Sequence, residues 1–479
     1  MMICTPSLID FNSKQRLPKQ LLLDLQLDKI LTQKTLDVLR NPCKKEEIKH
    51  RAELFETVET KNAQAALADC LSELKNYQRT LALSRDAEIP LERAFLRLSI
   101  FEQYIAICER LASFSALGYL FERVAHYFLR AEKQALLLAL RHDLTAVKAE
   151  LRDIRSGLLS FSDKHWITPD RSGKDEYDEL SAYALGLGLE VPDKKKLDAR
   201  IDQSLSDAVF RLHTDKLAIL DAFVSKYAEI DLEEPLQYID AFEFIVEING
   251  LIKRAGEQGI PHCYPSVADQ PSYMAKDAYD ISLMAKKLQK IIPNDVNFNI
   301  DEPFSFLTGA NGGGKTTYLR SVGINLVLFL SGCPVFAREA NLFPFEFVAS
   351  HFPMDERFDG VGRLEEERLR VDQMLSNADG KTSFLLFNET FSGTDEQRGY
   401  ALLCDAVERL NAKHCFGLYV THFHEVDATA YPVLSAQIDA EKENERTYRI
   451  VKTKGNSSSY AIDILKKYGL DKASLDARR

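Results

Sequence analysis

The run Gly309-Ala-Asn-Gly-Gly-Gly-Lys-Thr-Thr317 constrains this chain more than any other stretch of its 479 residues. It fits the pattern Gly-x-x-x-x-Gly-Lys-Thr, and its setting counts as much as its letters. Phe304, Phe306 and Leu307 read as the end of a buried strand, and Tyr318-Leu319-Arg320 reads as the opening of a helix. Strand, glycine turn and helix in that order make a phosphate-binding loop. Gly309, Ala310, Asn311, Gly312, Gly313 and Gly314 supply a backbone that can wrap a phosphate closely, with several N–H groups turned inward. The helix start adds its partial positive charge at the same spot. Lys315 brings a full charge for the terminal phosphates, the Thr316 hydroxyl can ligate Mg2+, and Thr317 ends the loop.

A second half of a nucleotide site follows. Ser383-Phe-Leu-Leu-Phe-Asn-Glu389 is an apolar strand that presents polar groups at its tip. An acid there can orient a water for attack on a γ-phosphate, and Glu389 takes that role. The residue before it ordinarily supports Mg2+ through a carboxylate. Here it is Asn388, whose amide oxygen can still serve the metal without the full charge. Cys415-Phe-Gly-Leu-Tyr-Val420 is a further apolar strand, and His422 just beyond it is placed to hydrogen-bond the γ-phosphate. His351 and His424 have no such context and read as core or surface residues.

The first half has a different texture. From Lys19 to Phe161 it is rich in Leu, Ala, Glu, Lys and Arg, with few glycines. Apolar spacing predicts helices over Gln20–Leu39, Lys45–Glu56, Lys61–Leu81, Leu91–Leu111 and Ser115–Phe161, the last with a break. Leu137, Leu140, Leu144, Val147, Leu151, Ile154 and Leu158 alternate steps of three and four, as in a coiled coil or one face of a bundle helix. The pattern fails between Ser162 and Pro192 and returns over Lys194–Lys226, which predicts two long helices forming an arm. A helix at Pro235–Arg254 leads back to the core. After Lys287, strands and helices alternate, beginning with Val296–Ile300.

Composition bounds the function. The net charge of -11 argues against a broad surface that coats nucleic acid. The start of the chain lacks a basic region followed by an apolar run, and Ile324 to Leu330 is too short to span a bilayer, so a cytoplasmic protein with no membrane partner is expected. The scattered cysteines suit free thiols better than a metal site.

Together the motifs resemble the MutS family of DNA mismatch-repair ATPases. Gly309 to Arg320 is similar to the family's glycine loop. Asn388-Glu-Thr-Phe-Ser-Gly-Thr394 with Gly399 is similar to its Asp-Glu-x-x-x-Gly-Thr stretch, with Asn388 in place of the acid. Val420-Thr-His-Phe-His-Glu-Val426 resembles its switch-histidine segment, and Ser457-Ser-Ser-Tyr460 its late Ser-Tyr segment. Gly362-Arg363 with Glu365 to Glu367 falls where the family's signature loop reaches a partner's nucleotide, although Leu364 and acids replace the usual Ser-Thr. Ile291 or Ile292 stands where many members place an aromatic on the adenine.

The resemblance implies an α+β multidomain chain. An all-helical core domain at about 1–270, with a lever arm at about 130–230, precedes an α/β P-loop ATPase domain of the ABC type at 271–479, whose C-terminal segment dimerises. It implies a shortened form lacking the mismatch-reading domain. It further implies a homodimer that sandwiches ATP and Mg2+ and so controls its grip on mismatched or branched DNA. Two other readings stay open: a nucleotide-dependent dimerisation switch with weak hydrolysis, and another ABC-type motor.

Overall fold

Helices dominate wherever leucine and alanine recur every three or four residues, and the glycine- and β-branched-rich later part folds into sheets. The computed structural model describes residues 6–9, 16–88, 90–151, 214–286, 291–353, 363–423, 425–426, 429–439 and 445–453. It divides into two compact units, Met1–Ile9 with Ala63–Phe242, and Asp10–Asn62 with Glu243–Arg479.

The first unit is helical among its described residues. Its helices are Gln64–Asp86, Pro90–Ser113, Tyr119–Phe128, Ala131–Glu150 and Thr214–Lys226, with a short 3-10 turn at Glu234–Tyr238. The predicted stripe is a packing face: Leu137, Leu140, Leu144, Val147 and Leu151 are all buried. Ile154, Leu158, most of the predicted arm, and Trp166 within it, lie outside the described residues.

The helix predicted over Ser115–Phe161 is interrupted twice. Gly118 takes φ 91° at the start of one helix, and the chain turns again at Leu129–Arg130. The second break exposes little unpaired backbone, because the Gln134 amide donates to the carbonyl of Phe128 at 2.8 Å. One charged pair is half-buried in this core. Lys133 Nζ lies 2.5 Å from Glu234 Oε2, and the hydroxyls of Tyr104 and Tyr127 also donate to that carboxylate. Burial pushes the Glu234 carboxyl up, and these donors outweigh it and hold the group below its ordinary range.

The second unit carries both sheets. The small one has the order β1-β5-β2-β3, from Ser266–Val267 (β1), Tyr273–Ala278 (β2), Asn294–Phe298 (β3) and Glu339–Leu342 (β5). The large one has the order β10-β9-β4-β8-β7-β6. Its strands are Phe304–Thr308 (β4), Phe347–His351 (β6), Ser383–Asn388 (β7), Phe416–Val420 (β8), Val433–Asp439 (β9) and Glu445–Thr453 (β10). β9, β4, β8, β7 and β6 run parallel, and β10 runs antiparallel along β9. β4, β7 and β8 are buried along their whole length, as expected of parallel strands covered on both faces. Helices Lys315–Leu330, Arg363–Asn377 and Glu396–Ala412 form the connections.

The early stretch Asp10–Asn62 belongs to this unit. The helix predicted over Gln20–Leu39 is three pieces: Lys19–Asp24, a 3-10 turn at Leu27–Lys29, and Gln33–Leu39. Gln26 in the left-handed region (φ 57°) and the Thr32 N-cap divide it. The first piece packs on β6, where Ser350 Oγ donates to Asp24 Oδ2 at 2.7 Å. Farther on, Arg51 Nη1 donates to the carbonyl of Ser331 at 3.3 Å.

Candidate functional site

In a parallel sheet, ligands sit beyond the carboxyl ends of the strands, where the connections diverge. The chain makes that divergence around β4, whose neighbours are β8 on one side and β9 on the other. The loop Gly309–Gly314 leaves the end of β4, and the buried helix Lys315–Leu330 begins directly after it. Leu307, Val420 and Asn388 are register partners across β4, β8 and β7, so the groups that follow them share one edge of the sheet. The amide of Thr421 extends that alignment by donating to the carbonyl of Leu307 at 3.0 Å.

Lys315 is 5% exposed, and its ammonium turns back over the loop. It donates to the carbonyls of Gly309 at 2.7 Å and Ala310 at 3.2 Å, and to Asn311 Oδ1 at 3.3 Å. These acceptors are neutral, and burial pushes the ammonium pKa down while the charge of Glu389 pulls it up. An anion in the loop would give this cation a stronger partner than any carbonyl. A phosphate therefore fits the residues present.

Thr316 Oγ1 donates to Asn388 Oδ1 at 3.1 Å, joining loop and strand tip. Both are hard oxygen donors of the kind Mg2+ takes, without a carboxylate between them. This pair fits a metal held mainly by phosphate and water.

Glu389 and Phe391 both lie in the left-handed region, at φ 49° and 65°. Non-glycine residues stay there only when their surroundings hold them. Four hydrogen bonds do so here. Glu389 N–H donates to Val420 at 2.9 Å, and Phe391 N–H donates to Glu367 Oε2 at 2.9 Å. The Tyr419 hydroxyl donates to the carbonyl of Thr390 at 2.9 Å, and Thr390 Oγ1 lies 2.8 Å from His351 Nδ1. His351 is buried, with its pKa lowered to about 3 by desolvation and by the charge of Arg370. His422 is exposed beyond β8, its ring against Phe423.

The structure thus brings Lys315, Thr316, Asn388 and Glu389 together and sets His422 at the same sheet edge. Gly362 and Ser457 to Tyr460 lie outside the described residues, and Glu365 to Glu367 are on the helix Arg363–Asn377. Sequence reasoning missed three contributors. Glu367 was legible only as one of the acids where the resemblance places a signature loop, not as the acceptor of the Phe391 N–H. His351 had no local signal. The hairpin β9–β10 was not read at all, yet it explains the glycines. A methyl group on Gly309 would lie 3.0 Å from Ala436 N, and one on Gly313 would lie 3.0 Å from Ala436 Cβ. The loop is glycine-rich partly because β9 lies directly against it.

Comparison with known proteins gives the same region. Residues 305–478 match the family model for MutS domain V. The chain is 29% identical over 169 residues to the DNA mismatch repair protein MSH2 of Saccharomyces cerevisiae, covering 35% of this chain and 17% of that protein. It is 30% identical over 189 residues to the endonuclease MutS2 of Clostridium tetani, covering 38% and 24%. It is 25% identical over 266 residues to the DNA mismatch repair protein MutS of Shouchella clausii, covering 53% and 29%. The alignments therefore span less than a third of each of these relatives. Among the described residues no helix is long and apolar enough to cross a membrane.

Proposed function

We propose, from the premise that the chain belongs to the MutS family, that it is an ATP-dependent DNA-binding protein. In this reading ATP is bound and hydrolysed at a dimer interface, and its state controls the grip on mismatched or branched DNA. The observation that carries the reading is the loop itself: a buried lysine folded over glycine-rich backbone, beside a strand tip that ends in Asn388 and Glu389.

Lys315 and the loop amides hold the β- and γ-phosphates. Thr316 and Asn388 hold Mg2+, which when bound neutralises charge on the phosphates. Glu389, aimed by its pinned turn, accepts a proton from the attacking water, and His422 hydrogen-bonds the γ-phosphate. Closure of two copies over ATP gives the nucleotide differential contacts with the closed state, which is what lets it bias a conformational equilibrium.

A direct test measures ATP binding, dimer mass and DNA binding on the same preparation. Lys315→Ala abolishes ATP binding if the loop is the site. Affinity for mismatched or branched DNA falls steeply with salt if phosphates are gripped. Unchanged ATP affinity in the variant removes the nucleotide site, and no salt-dependent DNA binding removes the DNA role.

One observation favours a second reading, a dimerisation switch with slow hydrolysis: Asn388 offers the metal an amide where a carboxylate binds more tightly. Asn388→Asp separates the two. A raised Mg2+-dependent rate marks the amide as limiting, whereas a flat rate shows that it is not.

A further inference from the structure

The hairpin that crowds the glycine loop also carries a cation onto it. A methyl group built on Gly312 would lie 2.5 Å from Nη1, 2.9 Å from Cζ and 3.3 Å from Nη2 of Arg446. The guanidinium, the mobile end of a long side chain, therefore rests directly against the loop at Gly312. It is exposed on its outer side. Gly312 has φ 72°, so conformation calls for glycine at this point of the loop.

Arg446 is held there by the sheet. It stands opposite Ile438 on β9, and β9 pairs with β4, the strand that ends in the loop. The register of β10 shifts between Arg446 and Ile450, and Asn294 clamps the irregularity from both sides. Its Nδ2 donates to the carbonyl of Tyr448 at 3.0 Å, and its Oδ1 accepts from Ile450 N–H at 2.7 Å. The Thr447 hydroxyl donates to the carbonyl of Gln437 at 2.9 Å. The backbone that follows Arg446 is thus fixed, and Arg446 itself is held by its pairing with β9.

We propose that Arg446 is a phosphate-binding residue of the nucleotide site, acting on the polyphosphate of a nucleotide cradled by its own loop. The inference rests on the nucleotide-binding reading above. Its chemical logic follows from Asn388. An amide in place of a carboxylate holds Mg2+ less tightly, so less positive charge reaches the phosphates through the metal. A guanidinium supplies that charge directly, with a planar fork suited to phosphate oxygens. Nucleotide affinity in this chain accordingly depends on Arg446 most when Mg2+ is scarce.

The test is calorimetric titration of ATP, ADP and AMP into the full chain, with Mg2+ and with EDTA, for wild type, Arg446→Ala, Arg446→Lys and Arg446→Glu. Arg446→Ala is expected to weaken ATP and ADP by about tenfold, the value of one charge-assisted hydrogen bond at an exposed site. The loss is larger in EDTA and smaller for AMP. Arg446→Lys restores part of the affinity, and Arg446→Glu weakens ATP more than Arg446→Ala does. Circular dichroism matching wild type shows that the variants fold. Wild-type affinity in Arg446→Ala overturns the inference and leaves the loop site standing. No nucleotide binding by the wild-type chain overturns both.

Discussion

Acidification from pH 7 to pH 5 should weaken the second unit by about 2 kcal/mol through His351 alone. The imidazole is 2% exposed at the end of β6, beside Thr390 in the turn that carries Glu389. Its pKa falls from the ordinary 6.5 to about 3, because burial and the Arg370 charge both oppose an imidazolium. Between those values an unfolded chain binds a proton that the folded chain refuses. The stability is therefore complete above pH 6.5 and is lost progressively as pH falls below it. Each pH unit in that interval costs about 1.36 kcal/mol, and the interval from 6.5 to 5 gives about 2 kcal/mol. Asp280, buried and raised to about 6, works in the opposite direction, so the effect must be isolated by difference. Chemical denaturation of wild type and His351→Gln at both pH values does this, followed by circular dichroism. Asp280 contributes equally to both proteins and cancels. The variant, which cannot take up that proton, should close on wild type by about 2 kcal/mol at pH 5. Parallel loss of stability in the two proteins would refute the reasoning.

Two other perturbations test contacts described above. Glu367→Ala leaves the Phe391 N–H without its buried acceptor and costs about 1–3 kcal/mol. ATPase assays should show a lower kcat with ATP affinity unchanged, restored by Glu367→Gln; a joint loss of both would mean that the carboxylate does not act through the Glu389 turn. Glu234→Gln removes the charged partner of the half-buried Lys133, which keeps the Tyr104 hydroxyl and neighbouring aromatic rings, and should cost about 1–3 kcal/mol, read as a drop in Tm. A Tm within a degree of wild type would show that the pair does not stabilise this core.

What the sequence disclosed depended on how local each feature is. The loop at Gly309–Thr317 sits between a strand and a helix adjacent in the chain, so a few residues determine it. β7 and β8 announce themselves as apolar runs because both of their faces are covered. Helix breaks at Gln26 and Leu129 were harder to read, since they depend on a single left-handed residue and on a side-chain cap. Arg446 and His351 gave no warning, and Glu367 gave none of the turn that it pins. Each reaches its partner across more than twenty residues of sequence, and only the assembled sheet brings the two together.

The short helix Lys19–Asp24 has a practical consequence for anyone dissecting this molecule. It lies along β6, the outermost strand on that side of the large sheet, and Arg320 Nε donates to its Asp24 carbonyl at 2.9 Å. Leu25, just beyond it, fills the space beside Gly323. A fragment cut to begin at Glu243 would strip this cover, leaving Ser350 and a furrow along a buried helix open, an invitation to self-association. An excised nucleotide-binding piece should stay soluble only when Asp10–Asn62 is expressed with it, fused or in trans.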